Sequence, residues 1–383
     1  MDNVNGNLTP VPLGLVPSFG YGDRLGLATP GHLAANAGSG FAPIFAQQSI
    51  REMTRTGRTA EEVMEAARGA LAAAKYEAPW GADADHLKTR EDVDVTTKAG
   101  FCFFTIDPSE HVENGADDMN EAALQAAVKQ QNQEGVYGGQ SVESLYGDKT
   151  YSIGDTDLTF DRESLLRAAV KYGRAVAHCQ KMAGYIDEAN QDRLYEIEVS
   201  VDETDSPTSA LEHLFFALEL RRRGITVVSL APRFIGEFEK GIDYKGDLKA
   251  FEASLKQHVD IAREIGPYKI SIHSGSDKFS IYPVIGRVCG NLLHVKTAGT
   301  SYLEALRVVA RVESRLFREI IDYSGGRFPE DKASYHISVT DADVPGLLKT
   351  DDDQLEQAFL NEDRGRQILH VTFGSVLTKG TAA

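Results

Sequence analysis

A TIM-like (β/α)8 barrel, α/β in class and forming a single domain, is the fold this 383-residue chain predicts. Three observations carry that expectation. Short apolar-alternating runs recur along the chain, and helical patterns follow them. No Pro/Gly/Ser-rich linker or internal repeat divides the sequence. The runs also end in clusters of polar and charged residues, which is where parallel barrel strands present functional groups. A doubly wound open sheet is the second choice. An antiparallel sheet with one wet face would alternate similarly but would not need helices between its strands.

In chain order, strands are predicted at residues 16–21, 82–87, 101–107, 194–202, 225–231, 268–274, 292–296 and 334–340. Helices are predicted at 59–75, 161–183, 209–223, 247–265, 300–324 and 353–361. The first of these opens with Thr59-Ala-Glu-Glu, close to a capping box. Residues 108–159, polar, Gly-rich and acidic, fall between a strand and its helix and read as an inserted loop or subdomain, a lid over the barrel mouth. The domain is therefore read as 1–383 with 108–159 inserted.

The composition, 42% hydrophobic and 25% charged, supports a large core. A formal charge of −17 argues against nucleic acid and anionic membrane surfaces as partners. Cys102, Cys179 and Cys289 are odd in number and widely spaced, and read as reduced thiols. No apolar run approaches the roughly 20 residues of a membrane span. The start, MDNVNGNLTP, has neither a basic nor an apolar targeting region, so the expected location is cytoplasmic.

Strand alternation sorts side chains into two faces. Tyr195, Ile197, Val199 and Val201 oppose Glu196, Glu198, Ser200 and Asp202. Tyr268, Ile270 and Ile272 oppose Lys269, Ser271 and His273; Leu293 and Val295 oppose His294 and Lys296. In the last run, Tyr335, Ile337 and Val339 oppose His336 and Ser338. The apolar sets must meet helices, which turns acids, amines and imidazoles into the barrel. Buried charge is costly unless paired or metal-bound, so these groups are expected to form a site.

Candidate residues follow from the strand ends. The segment GADADHLK places Asp83, Asp85, His86 and Lys88 together, a set suited to binding a cation or sugar hydroxyls or to moving a proton; its bland reading is a solvated loop. Asp202 and Glu203 exceed what capping the next helix requires. His273 opens a turn with Ser274 and Lys278 that is suited to an anion, or is a plain Gly-Ser turn. His86, His273 and His336 are read as ligands of a divalent cation, with Zn, Mn, Ni and Co equally suited. Asp85 and Glu203 are read as the acid–base pair, with Asp202 and Asp107 as substitutes. Arg24, Lys88, Arg233, Ser274, Lys278 and Lys296 are candidates for substrate oxygens. Gly20-Tyr-Gly contains GxG but no GxGxxG, so a dinucleotide site is weakly supported. His111, His178, His213, His258 and His370 are read as structural or exposed.

The segments SFGYGDRLGLATPGHL, GADADHLKT, FFTIDPSEHV, EVSVDETDSPTSALEHLFFALELRRRG, SLAPRFIGEFEKGIDYKGDL, YKISIHSGSDKFSIYPVIGR, HVKTAGTSYLEALRVVAR and SYHIS resemble, in one consistent order, the tagaturonate epimerase family. The resemblance implies a divalent-metal-dependent barrel enzyme interconverting D-tagaturonate and D-fructuronate in hexuronate breakdown, with tagatose and fructose as neutral analogues. The expected partner is then a small sugar acid or ketose, and a homo-oligomer is compatible with it. A metal-dependent sugar aldolase is the nearest rival. A Schiff-base aldolase using Lys296 and a non-catalytic sugar-acid-binding subunit are the others.

Overall fold

The computed structural model describes residues 8–379; residues 1–7, which hold most of the N-terminal stretch considered above, and 380–383 lie outside it. Eight parallel strands close into a barrel: β1 (Ser18–Gly22), β2 (Ala42–Ser49), β3 (Gly81–Leu87), β4 (Phe103–Ile106), β7 (Glu196–Val201), β8 (Ser229–Pro232), β9 (Lys269–Ile272) and β10 (Leu293–Lys296). The order is β1-β10-β9-β8-β7-β4-β3-β2, with β1 pairing β2 to complete the ring. A separate hairpin, β5 (Thr150–Ile153) with β6 (Thr156–Thr159), lies outside it.

Helices cover the barrel's outer face. Phe104, Ile106, Ile197, Val199 and Ile270 point outward into an apolar layer with Met64, Leu71, Val176 and Leu214. Each such side chain contributes about 1.5–3 kcal/mol on burial. The predicted helix at 59–75 is Ala60–Ala73, and the capping box is present: Thr59 accepts from the Glu62 N–H while Glu62 accepts from the Thr59 N–H. The predicted helix at 300–324 is two helices, Ser301–Val312 and Ser314–Asp331, because the chain leaves helical geometry at Glu313. All three cysteines are free and buried.

Two expectations need correction. Residues 334–340 are no strand; the eighth strand is β2. The alternation of Tyr335, Ile337 and Val339 arises because these side chains pack on a second apolar core. That core is built by the C-terminal helices around Leu303, Phe317, Ile321, Phe328, Leu369 and Phe373. Segment 108–159 touches the mouth with its first residues, where Lys88 Nζ donates to Ser109 Oγ at 3.3 Å and the Asp205 N–H to Asn114 Oδ1 at 3.2 Å. Beyond these, its helix Glu121–Gln133 packs on the helix Arg162–Ala189, and its hairpin on Leu248–Ile265, along the barrel's flank.

The interior is closed at its N-terminal end by Leu13, Ile44 and Phe103. Lys269 Nζ there donates to Ser18 Oγ at 2.9 Å, and Glu196 accepts from the Gly14 N–H. Polar groups accumulate from this floor toward the strands' C-terminal ends.

Candidate active site

Asp85 and His86 are adjacent on β3, and neighbours on a strand normally face opposite ways. Here the β3–β4 register shifts between Ala84 and Leu87, and His86 has φ 54°, in the left-handed region. The bulge and the turn together deliver both side chains to the mouth. His273, following β9, meets them from across the barrel. One donor atom from each of Asp85, His86 and His273 lies within 4.8 Å of the others, and the two imidazoles stand edge to face at 5.3 Å.

Surrounding acids hold each imidazole. His86 Nδ1 meets Asp107 Oδ2 at 3.1 Å, leaving Nε2 toward Asp85 Oδ1 at 3.9 Å. His273 Nε2 meets Glu198 Oε1 at 2.7 Å, and its Nδ1 lies 3.4 Å from Asp202 Oδ1. Burial opposes charging both rings, but the carboxylates outweigh it: Asp85 and Asp107 push His86 up to about 10, and Asp202 and Glu198 push His273 up to about 9. The mouth is therefore built to hold positive charge.

Lys296 occupies the centre beneath this group. Its Nζ lies 2.7 Å from Asp83 Oδ2, 2.8 Å from Asp85 Oδ1 and 2.9 Å from Glu198 Oε1. Burial disfavours its charge, yet these carboxylates hold its pKa well above the usual lysine value. Asp83 is pushed up to about 7 by burial and by its neighbours Asp85 and Glu198, partly offset by Lys296. Burial also opposes charge on Asp85, but His86, Lys296 and His273 bring it well below the usual carboxylate range.

Above the group opens a cavity of about 320 Å³, lined by Asp202, Glu203, Arg233, Phe234, Lys240, His273, Tyr335 and His336 among others. A smaller adjoining cavity reaches Arg24, Gln47, Asp85, His86 and Lys296. Arg51, Lys240, His273, Ser274 and Tyr335 line both.

The predicted residues fall into three groups. Asp85, His86, His273, Ser274 and Lys296 are brought together, while Glu203 and Arg233 line the larger cavity beside them. Lys88 sits at the rim, its Nζ 3.1 Å from Glu110 Oε1 and 3.6 Å from Asp107 Oδ2. Three residues stand apart from the roles expected of them. His336, 68% exposed, lies on the rim with Nε2 at 2.6 Å from Glu237 Oε2, outside the imidazole–carboxylate group, because its segment crosses the mouth instead of entering the sheet. Lys278 is buried, and its three donors go to the carbonyls of Glu239, Ile242 and Ser276; it pins the 239–242 loop and offers the cavity nothing. Arg24 borders the smaller cavity, but its guanidinium is taken up elsewhere: it lies 3.7 Å from the Phe373 ring, pairs with Glu52 at 3.1 Å and donates to the His370 carbonyl at 3.2 Å, clamping the C-terminal helices to the barrel. Sequence reasoning missed Arg51, Lys240, Tyr335 and Gln47. Arg51 and Gln47 belong to the unrecognised β2 and the helix that follows it, and their buried polar run (Gln47, Gln48, Ser49) shows no alternation to betray a strand.

Comparison with known proteins bears on what this arrangement does. The profile of the tagaturonate epimerase family matches residues 3–383. A tagaturonate/fructuronate epimerase of Thermotoga maritima is 47% identical over 373 residues, 97% of this chain and 75% of that protein. Two crystal structures of the fructuronate-tagaturonate epimerase UxaE from Cohnella laeviribosi, one native and one with glycerol, superpose with a TM-score of 0.90. Each is 39% identical, over 97% of this chain and 75% of the other.

Proposed function

Because the chain belongs to the tagaturonate epimerase family, and is thereby an isomerase of the epimerase kind, we propose that it interconverts D-tagaturonate and D-fructuronate at the barrel mouth in hexuronate breakdown, with tagatose and fructose as neutral counterparts. The observation that carries the reading is the group Asp85, His86 and His273, its donors within 4.8 Å inside an acid-walled mouth. This donor set suits Zn, Mn, Ni or Co, and the Asp107 carboxylate at His86 Nδ1 fixes the ring so that Nε2 is the nitrogen turned to an ion. Asp85, His86 and His273 would hold such a cation, which would supply a Lewis acid for polarising the ketone.

The two sugar acids differ at the carbon one step beyond the ketone's neighbour. Its hydrogen is not acidified by the carbonyl, so enolisation cannot invert it. Retro-aldol cleavage can. The hydroxyl on that carbon gives up its proton, the bond to the ketone's neighbour breaks into an enediolate and an aldehyde, and the aldehyde turns over. The bond then re-forms on the other face and the new alkoxide takes a proton. Two proton carriers are needed. Asp202 and Glu203, both on the cavity wall, are assigned that role, with Asp85 reassigned from proton carrier to cation ligand. Glu198 and Asp107 fix the two imidazoles, and Lys296 keeps Asp85 ionised.

Incubating metal-loaded protein with D-tagaturonate and following the products by NMR tests the reading. Fructuronate should accumulate to equilibrium, thorough chelation should stop it, and metal add-back should restore it. Release of three-carbon fragments would make the protein an aldolase. Undiminished turnover after chelation would remove the cation from the chemistry.

A further inference from the structure

In a chain carrying −17 formal charge, cations without acidic partners are conspicuous, and two of them line the larger cavity. Among the described residues, neither Lys240 nor Arg233 makes an ion pair. Lys240 Nζ meets only the hydroxyl of Ser274, at 2.5 Å, and Arg233 is held by its backbone N–H on Thr208 Oγ1 at 3.0 Å. Of the acids lining the same cavity, Glu237 meets His336 at 2.6 Å, Asp202 lies 3.4 Å from His273 Nδ1 and Glu203 3.7 Å from Arg51, and Asp205 pairs with neither cation. Lys240 also lines both cavities, between the imidazole group and the outer chamber. Beside it on the cavity lining, the Tyr335 hydroxyl is buried and among the described residues has no hydrogen-bond partner. An unpaired ammonium and an unpaired guanidinium on residues lining one chamber, with an unsatisfied hydroxyl on a third lining residue, are complementary to an anion with several acceptor atoms.

Resting on the epimerase reading above, we propose that Lys240 is the specificity-determining residue for the acid, receiving the substrate's terminal carboxylate with Arg233 and Tyr335 completing the cradle. In a six-carbon keto-acid the carboxylate lies two bonds beyond the inverted carbon. The anion therefore belongs in the chamber next to the imidazole group and not inside it, which is where Lys240 stands. A contact to a part of the substrate that does not react is made equally in ground and transition states, so its loss belongs in KM and not in kcat. Lys240 also steadies Ser274, beside His273, and a purely structural role through that contact would depress kcat instead.

The test is steady-state kinetics on D-tagaturonate with the metal-loaded wild type and with Lys240→Met and Lys240→Arg, at low and high ionic strength. For Lys240→Met, KM should rise about 10- to 100-fold with kcat moving far less. Lys240→Arg, which keeps the charge, should recover most of that loss. Added salt should raise KM of the wild type but scarcely that of Lys240→Met. An unchanged KM in Lys240→Met, a fall confined to kcat, or equal damage in Lys240→Arg and Lys240→Met would overturn the assignment while leaving the epimerase intact. A wild type that does not turn over tagaturonate would instead refute the functional reading on which the assignment rests.

Discussion

His273 and His336 have the same chemistry and looked alike in sequence, each on the polar side of an alternating run, yet they differ in every physical respect that matters. His273 is buried between Glu198 and Asp202, whereas His336 is exposed beside Glu237. Replacing His273 by Ala should therefore abolish both epimerisation and stoichiometric metal, while His336→Ala retains metal; elemental analysis of the two purified variants reads this directly. Lys296 gives a second contrast. Its ammonium is the counter-ion of three buried carboxylates, so Lys296→Met leaves them uncompensated. Breaking a buried pair in this way costs about 3–5 kcal/mol, and urea unfolding of the variant should show a loss of that order. A loss below about 1 kcal/mol would mean that the acids simply take up protons, as Asp83, already near 7, is placed to do.

At the scale of elements, the short strands are made of residues buried on both faces, and the site depends on how two of those elements end. β3 ends in a bulge with His86 in the left-handed region, and β9 leads into Ser274, also left-handed at φ 53°. Alternation assigned the inward sets of β7, β9 and β10 because those strands are regular. It could not read β3's end, where two consecutive side chains share a side, nor β2, whose polar residues are buried. The C-terminal helices form the other element of note, since they bring Tyr335 to the mouth and are tied down by Arg24. Arg24→Ala should raise amide hydrogen exchange across 363–378 while the barrel strands stay protected. Uniform protection would show that the second core holds the helices without the clamp.

Over the whole molecule, charge is distributed so that the acidic excess faces the barrel's axis and mouth as well as solvent. His86, near 10, and His273, near 9, both lie above the ordinary imidazole value of about 6.5. Their charged forms thus stabilise the metal-free fold fully below about pH 6.5, and this contribution is lost as pH rises through about 9 to 10. A cation must displace those protons to bind. Calorimetry in buffers of different ionisation enthalpy should show release approaching about two protons per ion near neutral pH, with affinity strengthening as pH rises toward 9. Binding without proton release would place the ion elsewhere. No helix among the described residues is long and apolar enough to cross a membrane.

The order of residues alone indicated the barrel class, seven of its eight strands, the helix capped by Thr59, and the inward polar sets of the regular strands, because period and capping are local properties that a linear pattern records. It also carried the family. Only the tertiary structure decided that Asp85 joins His86 and His273 while His336 does not, that Lys278 and Arg24 are anchors, and that Lys240 stands unpaired in the chamber. Those outcomes depend on bulges, on which carbonyls a buried amine meets, and on a C-terminal segment folding back across the mouth, and distances between remote parts of a chain are not written in its local pattern.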